Sequence, residues 1–121
     1  LKVLFKTKNT EFSVEFNQTQ TAKDIIAGLP LKSTVSTWGD EIYFDIGFKA
    51  NAQSATMEVK SGDVAYWPQG KCLCVFFGLT PASTGQDPVP ASPVVIVGHT
   101  QALRQDLKVI QLGEIMMVSL Q

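Results

Sequence analysis

The side chains best suited to meet a ligand fall in three short stretches. Trp38-Gly39-Asp40-Glu41, with Tyr43 two residues further on, sets an aromatic platform and two acids at a loop-to-strand transition, where Gly39 lets the backbone turn. Tyr66-Trp67-Pro68 followed by Gly70-Lys71 sets two aromatics at a strand end and a cation just past the turn that Pro68 and Gly70 shape. His99, the only histidine, follows the apolar run Val94-Val95-Ile96-Val97-Gly98. Aromatic walls strip water from a ligand and a few polar groups orient it, which is the chemistry of a small-molecule or short-peptide site. Trp38, Tyr43, Tyr66 and Trp67 are the candidate aromatic contacts, with Asp40, Lys71 and His99 as the candidate polar contacts.

Each of these residues also has a plainer reading. Trp38 fits a core position, and Asp40 and Glu41 point to different faces of a strand, which suits a surface charge pair better than a catalytic pair. Tyr66 and Trp67 likewise face opposite sides, so one of them belongs to the core. Lys71 reads as solvated. His99 reads as a loop histidine, or as a general base if Asp40, Asp45 or Asp63 stands beside it. No residue is assigned as catalytic. Without an H-x-H, H-E-x-x-H or four-cysteine pattern no metal is expected, and without a G-x-S-x-G elbow, Rossmann fingerprint or P-loop no cofactor or hydrolytic serine is expected. Cys72 and Cys74 share one face of a strand, where a bond between them would distort the backbone. Free buried thiols are expected, which suits a reducing, cytoplasmic setting.

Bulk properties narrow the partners. Ten basic against eleven acidic residues leave a net charge of −1 and no basic stripe, so nucleic acid is not an expected partner. The apolar runs are far shorter than the roughly 20 residues that span a bilayer. No membrane association is expected, and Leu1 to Lys8 reads as a strand instead of a leader. With 121 residues, 45 % of them hydrophobic, the chain suits one folded domain over 1–121. A homodimer is compatible with that size, though periodicity specifies no interface.

The positioning elements are mostly strands. Leu1, Val3 and Phe5 alternate with Lys2, Leu4 and Lys6, and Phe12, Val14 and Phe16 with Glu11, Ser13 and Glu15, which implies a hairpin turned at Asn9-Thr10. Ala22, Ile25, Ile26 and Leu29 recur at helical spacing, with Thr21 as the expected cap, Asp24 three residues later, and Gly28 and Pro30 as the stop. Further strands are expected at Ile42 to Phe48, Ala55 to Val59, Asp63 to Trp67, Cys72 to Phe77, Val94 to Gly98 and Ile115 to Leu120, with a short helix within Leu103 to Ile110. The proline-rich segment 80–93 is expected to be an ordered loop. Eight strands with one N-terminal helix suit a mainly β barrel or a β-sandwich, and periodicity alone does not separate the two.

Thr37-Trp38-Gly39-Asp40-Glu41-Ile42-Tyr43-Phe44 and Gly62-Asp63-Val64-Ala65-Tyr66-Trp67-Pro68-Gln69-Gly70-Lys71-Cys72-Leu73-Cys74-Val75-Phe76-Phe77-Gly78, with Thr80-Pro81 and Pro90-Ala91-Ser92, closely resemble a small prokaryotic family of stand-alone cyclophilin-like proteins. That resemblance implies a closed eight-stranded antiparallel β-barrel with one N-terminal helix and a short late helix. It does not imply isomerase activity. True cyclophilins set an arginine against the prolyl amide, whereas the only arginine here, Arg104, lies in the late helical segment outside any matching motif. Of the adjacent Phe76 and Phe77, only one can face an apolar cavity. The leading expectation is a small-molecule or short-peptide binding module with its site at a barrel mouth. The alternatives are a small enzyme, as a divergent prolyl isomerase or hydrolase, and a structural or self-associating protein.

Overall fold

The computed structural model describes residues 1–121. In chain order the elements are β1 (Lys2–Lys6), β2 (Glu11–Phe16), α1 (Gln20–Ala27), β3 (Leu31–Thr34), β4 (Ser36–Thr37), β5 (Glu41–Asp45), β6 (Asp63–Trp67), β7 (Cys72–Phe76), β8 (Val95–His99), α2 (Arg104–Leu107) and β9 (Ile115–Leu120). All strand pairings are antiparallel, in one sheet ordered β3-β9-β1-β2-β8-β6-β7-β5-β4. No helix is long and apolar enough to cross a membrane.

The closed eight-stranded barrel expected from the sequence is therefore corrected to a nine-stranded, nearly closed sheet with an unsealed seam. Its edge strands, β3 and β4, are not paired with each other. They are consecutive in the chain with Val35 between them, so the chain itself passes from one edge of the sheet to the other. β3 bonds to β9 and β4 to β5, while Val35 still exchanges backbone bonds with Glu114 (2.8 Å) and Gly113 (2.9 Å). These two strands escape a periodicity reading because Lys32, Ser33, Thr34, Ser36 and Thr37 offer no apolar alternation. Conversely, Ala55 to Val59 makes only one bridge, between Thr56 and Val94. There the Thr56 hydroxyl accepts from the Glu58 amide (2.9 Å), a local bond that competes with a ladder.

Helix α1 starts two residues earlier than the capping pattern suggested. Thr19, not Thr21, is the N-cap and accepts from the Ala22 amide at 3.1 Å. Asp24 instead accepts from Gln20 (2.8 Å) and from the Asn51 amide (2.8 Å), tying the helix to the segment after β5. Ala22 and Ile25 of α1 join the main core, which fills the concave side of the sheet. The Phe5 ring sits among Phe12, Phe16 and Phe44 with centroids 5.3, 6.5 and 6.0 Å away.

Strand alternation then assigns every residue of the β5, β6 and β7 wall to one side or the other. Ile42, Phe44, Val64, Tyr66, Leu73 and Val75 face the main core. Ala65, Cys72, Cys74 and Phe76 face outward into a second, smaller apolar cluster with Val59 and Val94, flanked by Tyr43 and Trp67. Tyr66 is fully buried on the inner side, and its hydroxyl accepts from the Ala50 amide at 3.1 Å. Replacing Tyr66 by Phe leaves that buried N–H without a partner and is expected to cost about 1–2 kcal/mol. Urea denaturation checks this through a lowered midpoint at unchanged slope, and an unshifted midpoint would remove the hydroxyl from the structural account.

Candidate functional site

A cavity of about 200 Å³ lies over the outer cluster. Its floor is the outward row of β5 and β7: Glu41, Tyr43, Cys74 and Phe76. The pairing register brings these four together, because Glu41 lies opposite Phe76 and Tyr43 opposite Cys74. Trp67, from the outer face of β6, closes one side and meets Tyr43 edge-on, with centroids 6.3 Å apart at 85°. Trp38 closes another side from the tight turn between β4 and β5, where its amide bonds to the Glu41 carbonyl at 2.9 Å. Pro90, Ala91 and Val94 form the cover. The cavity thus sits on the outer face of the barrel wall and not at a mouth, because the strand interior is already filled by the main core.

The cover belongs to the proline-rich segment, and its position is fixed by side chains. The Trp67 indole donates to the Ser92 hydroxyl (2.5 Å), which in turn donates to Gln69 (2.9 Å). At the other end of the segment Thr80 accepts and donates within the loop, its hydroxyl reaching the Val89 carbonyl at 2.5 Å and its amide bonding to Ser83 at 3.0 Å. Val94 exchanges both backbone bonds with Thr56, at 2.8 and 2.9 Å.

Of the seven candidate residues, the structure brings three to this cavity: Trp38, Tyr43 and Trp67, all half-buried. The other four stand elsewhere. Tyr66 faces the main core, as its place in the β6 alternation requires. Lys71 is exposed in the β6–β7 turn with φ +52°. His99 is exposed on β8 and its Nδ1 lies 3.2 Å from Asp63, so of the three acids considered for it Asp63 is the neighbour, outside the cavity lining. Asp40 is buried at the start of β5, where its carboxylate accepts from Arg104 (2.7 Å) and Lys108 (2.6 Å).

The surface charge pair expected of Asp40 and Glu41 is absent: both are only 6 % exposed, and they occupy opposite environments. Burial pushes the Asp40 carboxyl up, but the Lys108 and Arg104 hydrogen bonds outweigh it and hold the group below the usual carboxylate range. Glu41 has no such cations. Burial raises its carboxyl from 4.5 to about 7, opposed only by the Cys74 thiol. The thiols move the same way. Burial and the nearby Asp45 and Glu41 carboxylates push Cys72 up to about 11, and burial with Glu41 holds Cys74 well above the ordinary thiol range. Both cysteines are therefore neutral, free thiols packed in the wall, poor nucleophiles near neutral pH. Cys74, Pro90, Ala91 and Val94 line the cavity without having been singled out as contacts, while Glu41 and Phe76 were weighed in the sequence but not placed among the seven candidates.

Backbone shape supports the Asp40 clamp. Gly39 adopts φ +62°, and a Cβ there would stand 2.9 Å from the Leu79 carbonyl oxygen. A Cβ on Gly78 would overlap the Asp40 carboxylate itself.

The chain belongs to the cyclophilin-like family, whose profile matches residues 1–119. It is similar to the hypothetical protein AF2241 from Archaeoglobus fulgidus, whose solution structure shares 34 % identity and a TM-score of 0.79, the likeness covering 100 % of this chain and 95 % of that one. No curated protein matches the chain.

Two outcomes follow for the paired acids. Gly78→Ala is expected to displace the Asp40 carboxylate from Arg104 and Lys108 and to destabilise the fold by about 2–4 kcal/mol, with thermal and urea denaturation as the measurement. Glu41 binds a proton more tightly in the folded than in the unfolded chain, so its contribution is fully present below about pH 4.5 and is lost as pH rises through about 7. Glu41→Gln is accordingly expected to be more stable than the parent by about 3 kcal/mol at pH 8, and to lose most of that difference by pH 5. Parallel denaturation curves with no pH-dependent difference between the two chains would contradict the burial of an uncompensated carboxyl.

Proposed function

We propose that this protein is a binding module of one domain, 1–121, that takes a small molecule, or one side chain of a short peptide, into the cavity on the outer face of β5, β6 and β7. The observation that carries this reading is the lining: seven of its nine residues are hydrophobic, with Trp38, Tyr43 and Trp67 half-buried around free space instead of packed against one another on all sides. Such a surface gains by desolvating an apolar ligand, and the adjacent carboxyl gives it orientation. A cavity of about 150 Å³ holds a benzene-sized molecule, so about 200 Å³ suits a ligand of roughly eight non-hydrogen atoms.

The isomerase alternative finds less support. Arg104, the sole arginine, is committed to Asp40 and lies outside the cavity lining, so no guanidinium stands ready for a prolyl amide. The one thiol of the lining, Cys74, hydrogen-bonds to Glu41, but burial and that carboxylate hold it protonated, which makes it a poor nucleophile for hydrolysis.

A panel of indole, toluene and short proline-containing peptides, titrated while the indole N–H resonances of Trp38 and Trp67 are followed by NMR, tests the binding reading. Saturable shifts of both resonances are expected from at least one member. Trp38→Ala is expected to stay folded and to weaken that binding about tenfold. A folded Trp38→Ala protein with unchanged affinity would take the site away from this cavity.

A further inference from the structure

We propose that the ligand of this cavity is a compact organic ammonium, its apolar body held among Trp38, Tyr43 and Trp67 and its nitrogen against the Glu41 carboxylate; this rests on the binding reading above and specifies its ligand class. Glu41 is the only charged side chain in the lining. It is 6 % exposed, and no nitrogen or oxygen of the protein hydrogen-bonds to its carboxyl, whose one neighbour of that kind is the Cys74 thiol. A buried carboxylate ordinarily finds a cation, and the chain demonstrates this one residue away, where Asp40 takes both Arg104 and Lys108. At Glu41 the position of the cation is instead the cavity itself.

The surroundings favour the same charge. Aromatic rings attract ammonium groups through their π-electron faces, and Tyr43 and Trp67 meet at 85°, forming a corner with Trp38 as a further aromatic wall. An anion finds no basic side chain in the lining and meets Glu41 instead. A neutral apolar ligand fills the space but leaves the carboxyl with the weak Cys74 thiol as its only donor. An ammonium satisfies both halves of the lining: it supplies charge-assisted hydrogen bonds to Glu41 and carries carbon to the rings.

The same arrangement makes binding depend on protonation. The titratable groups facing Glu41 are the Cys72 and Cys74 thiols of β7 and Tyr43 on its own strand, while Pro90, Ala91 and Val94 of the cover carry no charge. Both thiols stay protonated near neutral pH, so the ligand's charge is met by Glu41 alone. Ammonium affinity is therefore expected to fall as pH drops below about 7, where Glu41 takes up its proton.

Benzylamine and its neutral analogue benzyl alcohol are the probes, titrated up to ~10 mM by NMR on the Trp38 and Trp67 indole signals at pH 8 and pH 6. Benzylamine is expected to bind at least about tenfold more tightly than benzyl alcohol at pH 8, with the preference shrinking at pH 6. In Glu41→Gln the preference is expected to vanish while benzyl alcohol binds within about twofold of the parent, which also shows that the variant's cavity is intact. Should that variant not fold, loss of the preference between pH 8 and pH 6 in the parent chain decides the matter. Equal binding of both probes at pH 8, or a preference that survives in Glu41→Gln, overturns the ammonium assignment and leaves the cavity as a neutral-ligand site. Failure of both probes and of the neutral panel to shift either indole overturns the binding reading together with it.

Discussion

Burial of β7 on both faces is the constraint from which the rest of this structure follows. All five residues from Cys72 to Phe76 are buried, yet a strand has only one side on which to meet the core of a barrel. Leu73 and Val75 use that side. Cys72, Cys74 and Phe76 need a second apolar layer outside the wall, which comes from Val59, Val94 and the aromatic edges of Tyr43 and Trp67. Close packing of that outer layer is incomplete, and the space left between the strand and its cover is the cavity. The candidate site is thus a consequence of covering an apolar strand with a loop instead of with another regular element.

Two neighbouring carboxylates show how far the barrel wall controls charge. Asp40 and Glu41 differ by one position and one methylene, and strand alternation sends them to opposite sides. Asp40 reaches the end of the sheet where α2 delivers Arg104 and Lys108, and these cations offset its desolvation. Glu41 enters an apolar lining with no cation, so the same loss of water works against its charge unopposed except by a thiol. Environment and not residue type sets the two groups on either side of their common reference range, an arrangement familiar from sites where paired acids carry different duties. Here the unbalanced member is the one that faces free space.

Much of this was legible in the sequence, and what was not has identifiable causes. Alternation in Lys2 to Lys6 and Glu11 to Phe16 marks strands with a buried side, the continuous apolar runs at Val64 to Trp67 and Cys72 to Phe77 mark strands buried more fully, and the shared face of Cys72 and Cys74 follows from spacing alone. The choice between Phe76 and Phe77 is also a matter of parity: Phe76 lines the cavity and Phe77 joins the main core. Trp38 and Trp67 were accessible as aromatics beside turns and Tyr43 as an aromatic within a strand. Glu41 was not, because its burial depends on lying opposite Phe76 and beside Cys74, and cross-strand register is invisible in one chain's pattern. The cations of Asp40 stand 64 and 68 residues away, beyond any local signal. The nine-stranded seam escaped for a different reason. A polar segment between Leu31 and Trp38 becomes two strands only because both edges of the sheet supply partners for it.

The cover of the cavity carries the final consequence. A proline-rich segment has few backbone donors to spend on a ladder, so its position must be set by side chains and by a handful of backbone bonds. Trp67 does this through Ser92 and Gln69, while also serving as a wall of the cavity beneath. Thr80 gathers the opposite end onto Val89 and Ser83, and Val94 is pinned to Thr56 by two backbone bonds. Wall and roof are thereby one connected unit. A site assembled this way would lose little conformational entropy on taking a ligand. The one charged group in that lining is Glu41, whose burial no cation of the protein offsets.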